Sequence, residues 1–106
     1  MAERNIFIHL VQVQNGVHAI PDIPTSMDVG DFVTYFSSDG IATVIFDFNG
    51  SPFSGSSDLL VSGERRKIVN AGKFFCKCFI KPDGQPAIGW SDQETPQSGG
   101  DHDVRP

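Results

Sequence analysis

The longest alternation of apolar and polar side chains runs through Gly72 to Trp90, GKFFCKCFIKPDGQPAIGW. Successive side chains of an extended strand point to opposite faces. Phe74, Cys76, Cys78 and Ile80 therefore share one face, and Lys73, Phe75, Lys77, Phe79 and Lys81 share the other. The first face is the candidate core face. The second lets lysine stems lie over aromatic rings while their ammonium groups stay in water. Pro82-Asp83-Gly84 predicts a turn, because proline pre-sets φ and glycine accepts positive φ. Ala87, Ile88 and Trp90 then begin a returning strand.

The same reading from the amino terminus predicts a strand over Asn5 to Gln14, with Ile6, Ile8 and Leu10 on one face and Phe7, Val11 and Val13 on the other. Asn15-Gly16 is a hairpin signal, since both residues tolerate positive φ, and Val17 to Ile20 is the returning strand. Pro21 and Pro24 interrupt any ladder and suit a sheet edge or a crossover. Met27 and Val29 mark a brief strand. Phe32 to Phe36 reads as a strand, and Ile41 to Phe48, after Ser37-Ser38-Asp39-Gly40, as its hairpin partner, with Ala42, Val44, Phe46 and Phe48 on its apolar face. Asn49 to Asp58 is a loop by composition, pinned by Phe53 after Pro52. Short strands follow at Leu59 to Ser62 and at Ile68-Val69. From Ser91 the chain turns polar and acidic, SDQETPQSGGDHDVRP, and reads as a long loop or mobile tail, or at most a last short strand at His102-Asp103-Val104.

Many short strands joined by turns, with nine phenylalanines and eleven glycines and almost no alanine- or leucine-rich stretch, point to an all-β fold. The 106 residues suit one domain, 1–106, with a single core. The expected core includes Ile8, Leu10, Val33, Tyr35, Val44, Phe46, Phe74, Cys76, Cys78 and Trp90. The architecture expected is a Greek-key β-sandwich of about seven or eight strands.

Composition narrows the function. The apolar stretch at the amino terminus is too short and too interrupted by His9 and Gln12 for a leader or a membrane span, so a cytoplasmic location with no membrane partner is expected. Two cysteines spaced C-x-C do not staple distant segments, and free thiols are expected in a reducing compartment. The net charge of −5 argues against a polyanion partner. Its distribution is uneven: residues 64–81 carry six Lys and Arg against Glu64, +5 locally, which leaves −10 for the rest.

The order of the strand signals resembles the cupredoxin-like family. Val29-Gly30-Asp31-Phe32-Val33-Thr34-Tyr35 resembles its V-x-x-G-D-x-V-x-F strand, and Gly40 to Phe46 sits where that family carries H-x-V-x-F. Ser51-Pro52-Phe53 is similar to a loop of some bacterial members, and Gly72 to Cys78 resembles G-x-Y-x-Y-x-C. The resemblance covers residues 25–90 and implies a copper site of two histidines, a thiolate and an axial methionine. Ala42 or Thr43 stands where the first histidine belongs. Phe-Ile-Lys-Pro-Asp-Gly-Gln after Cys78 holds neither the second histidine nor the methionine. The resemblance therefore implies the scaffold without its copper, and no cofactor is expected.

Three functional readings stand beside one another. The first is a non-enzymatic binding or interaction module, with candidate contacts at Ser51, Pro52, Phe53, Lys77, Phe79, Asp83 and Gln85. Its partner is an unidentified protein or small ligand, or a second copy paired through a strand edge. The second is a metal-linked redox protein using Cys76 and Cys78, although this spacing is tighter than the usual C-x₂₋₄-C knuckle. The third is single-strand nucleic-acid binding through the Lys73/Phe75/Lys77/Phe79/Lys81 face. Catalysis finds little support, because the serines lie in turn-rich loops and His102, flanked by Asp101 and Asp103, falls in the polar tail. A carboxylate pair of Asp31 and Asp47 is a weaker alternative, since Asp31 after Gly30 reads more simply as a turn residue.

Overall fold

A computed structural model describes residues 1–14, 16–53, 59–89 and 98–106. Among the described residues there are ten strands and no helix: β1 (Glu3–Val13), β2 (Gly16–Pro21), β3 (Met27–Asp28), β4 (Phe32–Phe36), β5 (Ile41–Ile45), β6 (Leu59–Val61), β7 (Arg65–Lys67), β8 (Gly72–Lys81), β9 (Ile88–Gly89) and β10 (Gly99–Arg105). They form two sheets, ordered β2-β1-β4-β7 and β3-β10-β8-β5-β6, with β9 pairing β8. The Cα radius of gyration is 13.2 Å, which is the value expected of a compact chain of this length.

The two faces of β8 separate as its alternation requires. Phe74, Cys76, Cys78 and Ile80 are buried, while Phe75, Lys77 and Phe79 are half-buried and Lys73 and Lys81 exposed. β8 is the centre of its sheet, pairing β5 along Lys77–Lys81 and β10 along Gly72–Lys77. The turn after it forms at Pro82, where the Gln85 amide donates to the Pro82 carbonyl at 3.2 Å and Gly84 takes φ 73°. β9 returns with Ile80 opposite Ile88. β1 and β2 pair antiparallel from Val13 opposite Gly16, as the hairpin signal predicts, and Asn15 itself lies outside the described residues.

Several expectations are corrected. β4 and β5 are not hairpin partners. β4 pairs β1 in parallel and β7 antiparallel, whereas β5 pairs β6 and β8. The segment between them crosses from one sheet to the other, so Val33 and Tyr35 face Ala42, Val44 and Phe46 across the core, and all five are at most 1% exposed. In a sandwich the inner faces of strands from opposite sheets interdigitate to form the core. Phe48 is the second correction: β5 stops at Ile45, and Phe48 is 79% exposed.

The third concerns the carboxyl terminus. Of the two readings of this segment, a tail or a last short strand at His102-Asp103-Val104, the strand forms and is longer, Gly99–Arg105, lying between β3 and β8. His102 is fully buried and Val104 is 3% exposed. Arg105 pairs with Asp28 of β3, Nε to Oδ1 at 2.9 Å. The local polarity that reads as disorder is the outward face, Asp101 and Asp103, of a strand whose inward face is Gly100, His102 and Val104. The expected strand at Ile68-Val69 is displaced as well. Arg65–Lys67 forms the ladder, and Ile68 makes an isolated bridge to Phe53.

The core joins both sheets in one cluster, from Ile6 and Ile8 of β1 through Val33 and Tyr35 to Val44, Cys76, Cys78 and Ile80. Leu10, expected inside, is only partly buried, and Trp90 lies outside the described residues. One end of the sandwich is closed by Asp31. Its carboxylate accepts from the Ala2 amide at 2.8 Å, the Asp28 amide at 3.1 Å and the Arg4 guanidinium at 3.1 Å. Asp31 therefore does more than turn the chain: it ties β1 to the β3–β4 connection. It has no partnership with Asp47, which instead meets Lys77 at 3.3 Å.

Candidate functional site

The chemistry-bearing side chains fall into an interior cluster and several surface groups. In the interior, Tyr35 of β4 and His102 of β10 meet across the two sheets, with the Tyr35 hydroxyl 2.8 Å from His102 Nε2. The Phe46 ring stands edge-on to the imidazole at 5.0 Å. Cys76 and Cys78 lie beneath, neighbours on one face of β8, their sulfurs 3.8 Å apart and both free thiols. All four residues are fully buried.

Electrostatics in this cluster are one-sided. The Cys78 thiol donating to the Cys76 sulfur pulls the Cys76 pKa down to about 5, against its burial, helped by His102 and the Gly100 amide. The same contact pushes Cys78 up, and burial adds to it. Burial raises Tyr35 well above the usual phenol range, with the two cysteines contributing further. His102 Nδ1 has no hydrogen-bond partner, although the ring lies close enough to act on the Cys76 thiol. Neither sulfur reaches solvent, since Cys76 and Cys78 are both 0% exposed.

The Tyr35–His102 bond is a stability element. Changing Tyr35→Phe leaves Nε2 unpaired in an apolar core and is expected to cost about 1–3 kcal/mol. His102→Leu strands the phenol hydroxyl at similar cost. The double variant is expected to cost clearly less than the sum, because both polar partners go together. Urea unfolding of the four proteins at constant slope measures the coupling, and strict additivity would show the bond to be without energetic weight.

The donor set of a copper site does not fit these residues. Ala42, fully buried, and half-buried Thr43 occupy the positions where the resemblance places a histidine. His9 is on β1, His18 on β2 and His102 on β10, bonded to Tyr35. Among the described residues no three His, Cys, Asp or Glu side chains are arranged to hold a metal ion.

The seven residues singled out in the sequence lie in separate places. Pro52 and Phe53 are buried, Phe53 at 2% exposure with its ring edge-on to Phe46 at 5.7 Å. The Pro52 carbonyl accepts from the Val69 and Asn70 amides. Ser51 Oγ accepts from the Phe53 amide at 3.1 Å, and its carbonyl accepts from Asn70 Nδ2. Ser51–Phe53 is therefore tied to the sandwich, with the Phe53 side chain inside the core. Lys77 and Phe79 are on the outer face of β8, and Lys77 is paired with Asp47. Exposed Asp83 lines a shallow depression of about 240 Å³ with Gly40, Ile41, Lys81 and Pro82, and Gln85 lies in the turn beside it. The lysine-phenylalanine face is not uniformly basic, because β10 places Asp101 opposite Phe75 and Asp103 opposite Lys73.

A surface that no motif flags is the outer face of the four-stranded sheet. Phe7 of β1 and Phe36 of β4 sit opposite each other and stack at 5.5 Å. His9 continues the row, 6.5 Å from Phe7. On the β7 side the Arg65 guanidinium lies 3.6 Å over the Phe32 ring while bridging to Glu3. On the β2 side Asp22 meets His9 at 3.2 Å. Phe7 is 48% exposed and Val11 38%. A sheet face turned to water is normally polar, so an aromatic row here is an exception. The signal was present in β1, which is apolar on both faces over Phe7 to Val11.

The chain matches no protein-family model, no curated protein and no solved structure. The structure has no helix among the described residues long and apolar enough to cross a membrane.

Proposed function

We propose that this chain is a non-enzymatic interaction module, a Greek-key sandwich of cupredoxin-like kind without copper, whose working surface is the outer face of the β2-β1-β4-β7 sheet. The observation that carries this reading is the stack of exposed Phe7 on half-buried Phe36, on the two middle strands of that face. Contiguous apolar surface rimmed by charge marks interaction sites on soluble proteins. The Greek-key reading is supported by the path of the chain from the β5–β6 hairpin through β7 in the opposite sheet to β8, which returns beside β5. The copper-free reading is supported by Ala42 and by the segment after Cys78. Two free thiols suit a reducing compartment, and we place the protein in the cytoplasm. The test is retention on a phenyl matrix at dilute loading, comparing Phe7→Lys with Ile41→Lys. Ile41 is 61% exposed on the opposite sheet, so it controls for loss of any apolar side chain.

A further inference from the structure

The occupant of this face can be argued from its charges and its symmetry. We infer that it is a second copy of this chain, packed face to face about a two-fold axis running along the strands. This inference rests on the reading of the face as the working surface.

The four strands are ordered β2-β1-β4-β7, so the midline of the face falls between β1 and β4. A two-fold axis along that midline lays β1 of one copy over β4 of the other and β2 over β7. Phe7 and Phe36 are level with each other in the β1–β4 register, and such an axis sets Phe7 against Phe36 of the second copy. Four rings then meet at the centre, where aromatic side chains contribute most to an interface.

The edges decide the direction of the axis. The β7 side is basic, with Arg65 and Lys67, and the β2 side carries Asp22. An axis across the strands would lay basic edge on basic edge. An axis along them brings Arg65 to Asp22 of the second copy. Arg65 is level with Thr34 and therefore with Asn5, and the Asp22 amide bonds to the Phe7 carbonyl. The two are thus two residues apart along the strand, about 7 Å, within reach of an arginine side chain. Both are accessible, with the Arg65 side chain 54% and the Asp22 side chain 76% exposed. Asp22 has exposed His9 to exchange, and Arg65 exchanges its bridge to Glu3 while its guanidinium stays over the Phe32 ring.

The size of the face sets the class of interface. Four strands about 4.8 Å apart and five residues at about 3.3 Å give a patch roughly 20 by 17 Å, which with side-chain relief buries on the order of 1,000 Å² over both copies. This is the small end of specific interfaces, the class of weak and reversible encounters.

Sedimentation velocity across about 1–500 μM protein tests it. The expected result is a monomer at the low end that associates to a dimer at the high end. Phe7→Lys is expected to weaken association at least about tenfold. Ile41→Lys is expected to leave it unchanged. Arg65→Glu and Asp22→Lys alone are each expected to weaken it about fivefold, and the double exchange to restore it to within about twofold. Restoration distinguishes a contact between copies from a general effect of surface charge. A monomer throughout, or a dimer indifferent to Phe7→Lys or not restored by the double exchange, overturns the inference. The phenyl-matrix comparison is read on the monomer and stands or falls separately.

Discussion

A chain ending at Ser98 is expected not to fold. Deletion of residues 99–106 removes a strand that pairs β8 over six positions and β3 over two. It exposes the edge of β8 from Gly72 to Lys77 and takes His102 and Val104 out of the core. Tyr35 loses its hydrogen-bond partner in the same step. The combined loss exceeds the roughly 5–15 kcal/mol by which a domain of this size is stable. Thermal unfolding followed by circular dichroism is expected to show no cooperative transition for the truncated chain. A cooperative transition within a few degrees of the full chain would show the terminus to be dispensable.

Replacing Asp31 is expected to cost about 3–5 kcal/mol, because it leaves a partly desolvated guanidinium and two amides without their acceptor. The Asp31 side chain is 3% exposed and that of Arg4 30%. Burial by itself raises the Asp31 pKa, but the amides of Ala2 and Asp28 and then Arg4 outweigh it, and the carboxyl lies below its ordinary value. A group whose folded pKa is depressed stabilises the fold above its unfolded pKa, about 3.9 for aspartate. That contribution is lost as pH falls through the folded value. The stability gap between the wild type and an Asp31→Asn variant is therefore expected to be constant above about pH 5 and to shrink on acidification below about pH 4. Urea midpoints measured from pH 7 to strongly acid conditions check both size and direction. A gap independent of pH would remove the ionised carboxylate from the account.

How much of this was legible in the sequence depended on whether the information was local. The alternation in β8 and the turn at Pro82-Asp83-Gly84 are properties of adjacent residues, and both form as read. The hairpin at Gly16 is of the same kind. The partnership of β4 was not legible, because a strand with an apolar inner face reads the same whether its neighbour lies beside it or across the core. Four small polar residues between β4 and β5 suit a crossover as well as a turn. The strand at the carboxyl terminus was legible only as an alternative at His102-Asp103-Val104, because its outward aspartates and a buried histidine give the segment the pattern of a polar tail. His102 counts as polar in any pattern, yet it is apolar in effect once Tyr35 takes its Nε2 and Phe46 covers its ring.

The candidate contacts were legible in part. Phe53 was readable as an apolar peg, and it is one, which withdraws it from the surface. The aromatic row was half visible as a β1 strand apolar on both faces. Its other half, Phe32 and Phe36, becomes meaningful only through the parallel register of β1 and β4, a long-range pairing with no local signature.

The proposal is that this protein works through the outer face of its four-stranded sheet. Retention of dilute protein on a phenyl matrix tests it most directly. The claim predicts that Phe7→Lys shortens retention markedly while Ile41→Lys shortens it little. Equal shortening by both variants, or a larger effect from Ile41→Lys, would contradict it and move the working surface to the other sheet.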